Sequence, residues 1–349
     1  MGDVLNYSGV VTKIRAMQSK LLKPEQFEEI ANLHSVPEVV SYLKEKTSYT
    51  GILETLDEDH LHRGDIEKIM VQTLYDDFSK IYSFCGLEQR KFLKLYLRHY
   101  EVDLINYCLR IVINHYQEPF DINYKKAFFD KYSKISIEKL ITSRTTDQLI
   151  ENLKGTEYYT PLKSLQDSRS VTLFDYDLTL NLYCYMVAWK TRAKIKNKKE
   201  RDLFVNEWGT MIDLLNLEWI YRAKKYYNMK AIDIFAIIIP NHYRIPTDMI
   251  KEIVEAPTVD DCIKAIGKSF YANRFDPGKN KAFEQMYNEI LYHMYASNRR
   301  KDPYSIATVN AYLFFKEEEL KKLTTAMECI RYSLSPSETL AYVGGNVND

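Results

Sequence analysis

Three places in this chain hold polar side chains close enough together for chemistry. Asp57-Glu58-Asp59-His60-Leu61-His62 carries carboxylates and imidazoles that could ligate a metal. A metal centre also needs fixed geometry and hydrogen-bonded support behind its ligands. Alternating ligands in a polar connection read more simply as surface. His99, Asp103, Asn106 and Arg110 recur at spacings of 3 and 4, a polar stripe along one helix. Its Asp and Asn could pair on a ligand. Hydrogen bonding to a neighbouring helix, fixing its register, accounts for them better. Lys190 to Arg201 sets seven cations against Glu200 alone. Such a run reads as a solvated helix end, with lipid head groups or an acidic partner as the alternative.

The recognisable catalytic signatures are missing. There is no G-x-x-x-x-G-K-[ST] phosphate loop, no G-x-G-x-x-G and no H-E-x-x-H. A G-x-S-x-G elbow is also lacking. The sequence therefore predicts no catalytic residue, no cofactor-binding residue and no metal site, and a protein that is not an enzyme.

What organises the chain is a repeat. Ser35 with Glu38 is a helix-opening capping box, Pro37 fits the first turn, and Val39, Val40 and Leu43 follow at helical spacing. Thr145 with Gln148 opens a second copy, followed by Leu149, Ile150 and Leu153. Thr258 with Asp261 opens a third, followed by Cys262, Ile263 and Ile266, with aspartate the weaker box partner. Phe27/Ile137, Ile30/Leu140, Val39/Leu149 and Tyr49/Tyr159 share an offset of 110. So do Asp103-Leu104-Ile105-Asn106 and Asp213-Leu214-Leu215-Asn216, with Glu319-Leu320-Lys321-Lys322 a looser third copy. The expectation is an all-α chain of three pseudo-repeated helical bundles in one body, at residues 1–116, 117–228 and 229–349.

Composition agrees. Hydrophobic residues make up 46% of 349, ample for a large core, and glycines number only 11. Average usage of roughly 7% would give about twice as many. Lys and Arg balance Asp and Glu at 48 each, so no global charge draws the chain to nucleic acid. No window reaches the roughly 18 apolar residues of a membrane helix. Leu178 to Trp189 and Ile232 to Pro240 come nearest and read as buried helix. The N-terminus lacks the order of a signal peptide. The five cysteines are widely spaced without C-x-x-C, which suggests reduced core residues in a cytosolic setting.

In order, the pattern predicts helices over 4–22, 27–34, the capped segment from 35, 66–84, 87–116 and 203–227. A last helix or helix pair spans 305–332. Lys23-Pro24 and Ser335-Pro336 read as breaks, Asp57 to Asp65, Asp276-Pro277-Gly278 and Arg299 to Pro303 as connections. Residues from Gly344 on read as a frayed tail.

Stretches along the whole length resemble one family, the C subunits of V/A-type rotary ATPases, whose eukaryotic vacuolar counterpart is the d subunit. They include Tyr7 through Ile14-Arg15-Ala16-Met17 to Leu21-Leu22, and Phe92 to Asn106. The most telling is Ser305-Ile306-Ala307-Thr308-Val309-Asn310-Ala311-Tyr312, continuing through Lys316-Glu317-Glu318-Glu319-Leu320 to Cys329-Ile330. Lys321-Lys322-Leu323 departs from the family's usual sequence at that point. The resemblance implies a pseudo-threefold helical funnel, monomeric within its complex, on the cytosolic face of the membrane rotor ring. It would receive the central stalk and couple ATP hydrolysis or synthesis to H⁺ or Na⁺ transport, without binding nucleic acid. A free-standing helical scaffold for another cytosolic protein is the rival expectation. A lipid- or nucleic-acid-binding module acting through Lys190 to Arg201 is a third.

Overall fold

The computed structural model describes residues 2–53, 63–116, 122–167, 171–272 and 283–344. Every regular element among them is helical. The Asp57 to His62 cluster, the Asp276-Pro277-Gly278 connection and the tail after Gly344 lie outside the described residues.

The chain divides into two compact units, residues 1–90 with 292–349, and residues 91–291. The first unit holds α1 (Gly2–Gln18), α2 (Pro24–Ala31), α3 (Val36–Lys46), α4 (Thr50–Leu53), α5 (Arg63–Phe84) and the start of α6 (Leu87–Ile113). The second holds most of α6, then α7 (Lys126–Tyr132), α8 (Ile137–Ile141), α9 (Thr146–Asn152), α10 (Tyr159–Gln166), α11 (Leu173–Thr191) and α12 (Lys198–Tyr227). It continues through α13 (Ala231–Ile237), α14 (Thr247–Glu255), α15 (Val259–Ile266) and the first half of α16 (Phe283–Lys301). The chain then returns to the first unit with α17 (Ile306–Arg331) and α18 (Pro336–Val343).

Local sequence explains the helix starts. Ser35, Thr145 and Thr258 each accept the amide of the third helical residue, from Glu38, Gln148 and Asp261 at 3.3, 3.2 and 3.1 Å. The return contact differs from the simple box. Glu38 accepts from the amide of His34 and Gln148 from that of Arg144, both at 2.9 Å, one residue before the cap. Asp261 is a methylene shorter and reaches back no farther than the Thr258 hydroxyl, at 2.7 Å, while its other oxygen accepts from Lys264 at 3.3 Å. The apolar positions behind the caps, Val39/Val40/Leu43, Leu149/Ile150/Leu153 and Cys262/Ile266, are buried.

Several boundaries move. Ser335-Pro336 opens a helix instead of ending one. Ser335 accepts from the Glu338 amide, and Glu338 accepts from the Ser335 amide at 2.9 Å, a complete capping box with Pro336 in the first turn. The stretch from Ser305 is a single helix. Helix α12 starts at Lys198, five residues before the expected start, and Asn197 caps it by taking amides from Lys199 and Glu200. In α13 Ile232 is 73% exposed, so that short helix is not buried throughout. All five cysteines are free and buried. Burial pushes the Cys85, Cys108 and Cys184 thiols up to about 12, away from the thiolate that would react.

Candidate functional site

Three buried carboxylates stand on the long helices α6, α12 and α17. Each ties down two separate points of a short-helix segment.

Glu319 on α17 is 4% exposed. It accepts from the Tyr49 hydroxyl at 2.6 Å, from the Leu22 amide at 2.5 Å and from the Lys316 ammonium at 2.7 Å. Lys316 also donates to the Tyr49 oxygen at 2.7 Å, and its charge lies 4.6 Å from the centre of that ring. Glu101 on α6 accepts from the Tyr158 hydroxyl at 2.6 Å and from the Ser133 hydroxyl. Asp213 on α12 is fully buried. It accepts from the amides of Tyr243 and Arg244 at 2.8 and 2.6 Å, and from the Tyr271 hydroxyl at 3.0 Å.

The three tyrosines are held alike. Tyr49, Tyr158 and Tyr271 are all nearly inaccessible. Each donates its amide to a hydroxyl two residues back, to Thr47 at 3.2 Å, Thr156 at 3.3 Å and Ser269 at 3.3 Å. This hydroxyl turn follows the capped helix and aims the ring at the long helix. The lower anchor, at Leu22, Ser133 or Tyr243-Arg244, lies in the stretch of chain entering the same short-helix segment. One carboxylate thus fastens both ends of each segment.

Burial raises the Glu101 and Asp213 carboxyls above the usual range, although the hydrogen bonds they accept pull the other way. Burial and the adjacent carboxylate push Tyr49, Tyr158 and Tyr271 far above an ordinary phenol, so they remain donors. Buried and hydrogen-bonded at both ends, these groups fix geometry. A cavity of about 220 Å³ lies beside Tyr49, where Lys13, Lys20 and Lys80 mix with Asp76 and Asp77. Among the described residues no group of three or more His, Cys, Asp or Glu could hold a metal.

Two pairings expected from the 110-residue offset do not hold in the fold. The buried partner in the second copy is Tyr158, while Tyr159 hydrogen-bonds Glu151 near the surface. The first-copy carboxylate is Glu101, and Asp103 is exposed. Two residues along a helix turn about 200°, which carries a side chain to the opposite side. The hydrogen-bonding expectation for the polar stripe holds at Asn106, whose amide donates to Asp177 of α11 at 2.5 Å. Its counterpart Asn216 grips the chain after α13, donating to the Ile239 carbonyl at 3.0 Å and accepting from the Ile239 amide at 2.8 Å.

The whole chain has known relatives. The family model described as ATP synthase (C/AC39) subunit matches residues 10–342. The A-type ATP synthase C subunit of Methanocaldococcus jannaschii is 23% identical, over 96% of this chain and 86% of its own. That of Pyrococcus abyssi is 25% identical, over 97% and 90%. That of Methanosarcina mazei is 25% identical, over 67% and 63%. No described helix is long and apolar enough to cross a membrane.

Proposed function

The chain belongs to the ATP synthase (C/AC39) subunit family, and from that premise we propose that its three carboxylate-locked modules form a pseudo-threefold funnel seated on a membrane rotor ring. Membership makes it a non-catalytic component of a rotary ATPase that links stalk and rotor. In this reading the modules are residues 1–116, 117–228 and 229–349. The funnel stands on the cytosolic face, receives the central stalk in its hollow and rests its rim on the ring.

The observation that carries the proposal is the cyclic order of the clamps. Tyr158 of the second module locks to Glu101 of the first, and Tyr271 of the third locks to Asp213 of the second. Tyr49 of the first locks to Glu319 of the third. Each segment is fastened to the long helix of the module before it, and the first returns to the last. A linear array would leave its first segment without such a partner. A part that transmits torque needs stiffness, and buried, charge-assisted hydrogen bonds at equivalent points supply it.

Deleting the protein tests the role. ATP hydrolysis by the detached catalytic head should persist, while ATP-driven ion uptake into vesicles should cease. Vesicles lacking the chain that still pump at normal rates per ATP hydrolysed would refute it.

A further inference from the structure

The turn between α11 and α12 has no part in the clamps. We propose that it is a contact site for anionic lipid head groups. Lys190, Lys194, Lys196, Lys198 and Lys199 are exposed along it, and Glu200, its sole acid, is buried. Among the described residues Lys190, Lys194, Lys196, Lys198 and Arg201 have no acidic partner. The protein therefore leaves this charge for something outside itself.

The turn is also held in shape. Arg192 stacks its guanidinium 4.4 Å from the Trp189 ring centre and donates to the Trp189 carbonyl at 2.6 Å. That cation answers the negative end of α11. Asn197 caps α12 by accepting two amides, and the positive end of that 30-residue helix adds to the field of the lysines. The cations thus project from a fixed tip between two helix ends.

The choice of cation decides between a lipid surface and an acidic protein. A protein carboxylate is best met by the flat fork of arginine, which binds it through two parallel bonds. Here five of the seven cations are lysines, and Arg192 is already engaged with Trp189. Lysines are point charges on flexible stems, suited to a diffuse sheet of head groups without fixed geometry. Clusters of about 4–8 basic residues beside a membrane helix or on an amphipathic helix make such contacts, and this turn carries seven between two helix ends.

The experiment is sedimentation of the full chain with protein-free vesicles, of phosphatidylcholine alone or mixed with phosphatidylglycerol. Binding should require the anionic lipid and weaken as salt rises, since screening acts over about 8–10 Å near physiological strength. Each lysine at an anionic surface is worth roughly a fivefold change in partitioning. The triple variant Lys194→Gln/Lys196→Gln/Lys198→Gln should therefore bind about 100-fold more weakly. The matched variant Lys94→Gln/Lys134→Gln/Lys139→Gln, which removes the same charge elsewhere, should bind like the parent. Thermal melts establish that both fold; if the first triple does not, Lys196→Gln alone should still weaken binding about fivefold. Equal loss in both triples, or no binding to anionic vesicles at low salt, would overturn the proposal. So would binding confined to membranes that carry the rest of the ATPase, which would assign the turn to an acidic protein surface.

Discussion

The Tyr49 hydroxyl donates to the Glu319 carboxylate across 2.6 Å of space and 270 residues of sequence. Both side chains are nearly inaccessible, and Lys316 closes the group by bonding to each of them. Removing only the hydroxyl leaves a buried carboxylate short of a donor. A hydrogen bond to a charged group contributes roughly 1.5–3 kcal/mol. Tyr49→Phe, Tyr158→Phe and Tyr271→Phe should each lower stability by about that amount, read from urea unfolding midpoints. Tyr159→Phe, whose partner Glu151 is at the surface, should change it by less than about 0.5 kcal/mol. Equal effects at positions 158 and 159 would contradict the assignment of the second clamp.

The clamps differ in what an amide could replace. Asp213 receives two backbone amides and a phenol, one amide on each oxygen. In Asp213→Asn the new NH₂ would face an amide that can only donate. Glu101 receives two hydroxyls, and the Ser133 hydroxyl can turn to accept. Asp213→Asn should therefore be more damaging than Glu101→Gln, by about the 1–3 kcal/mol of an unsatisfied buried group. Unfolding of the two variants at neutral pH gives the comparison directly.

Acidity should act in a defined direction. The Glu101 and Asp213 carboxyls are raised in the fold, burial being the main cause. The folded chain then holds their protons more tightly than the unfolded chain. Their contribution is complete below the ordinary carboxylate pKa and is lost as pH rises through the raised folded value. The stability difference between the parent and Glu101→Gln should shift against the parent across that interval. Paired unfolding curves at a series of pH values test it, and a difference that grows in the parent's favour would contradict the burial of this carboxyl.

Much of this was legible in the sequence, and the exceptions have physical causes. The three caps and the apolar positions behind them are local features, and the tetrapeptides beginning at Asp213 and Glu319 do mark clamp carboxylates. A constant offset misplaced the other two partners because it carries no information about which side of a helix is buried. A glutamate and an aspartate also place their oxygens at different distances from the backbone, so equivalent bonds can arise from unequal positions. The pattern Ser/Thr-x-Tyr at Thr47-Tyr49, Thr156-Tyr158 and Ser269-Tyr271 would have selected Tyr158, because the hydroxyl turn sets which tyrosine points inward. Ser335-Pro336 misled because proline both ends helices and occupies their first turn; Glu338, three residues after Ser335, separates the two cases.

The caps offer a test of the repeat that does not involve the clamps. Ser35→Ala, Thr145→Ala and Thr258→Ala each remove the acceptor of one first-turn amide. Each should cost about 0.5–2 kcal/mol in unfolding. Three unchanged midpoints would mean that these hydroxyls do not hold their helices.

The chain entering the third short-helix segment presses against α12 at Gly209, one turn before Asp213. A Cβ there would lie 2.5 Å from Cγ of Tyr243 and 2.7 Å from its Cβ. Tyr243 cannot simply retreat, because its own amide is bonded to Asp213 at 2.8 Å. Gly209→Ala should therefore lift the entering chain off the helix and cost about 1–3 kcal/mol, as overpacking does. The same displacement lengthens the bonds that Asp213→Asn disrupts. The double variant should accordingly cost less than the sum of the two single changes, because neighbours that share a partner are coupled. Strict additivity would show that Gly209 makes room for the Tyr243 ring alone, independently of the clamp.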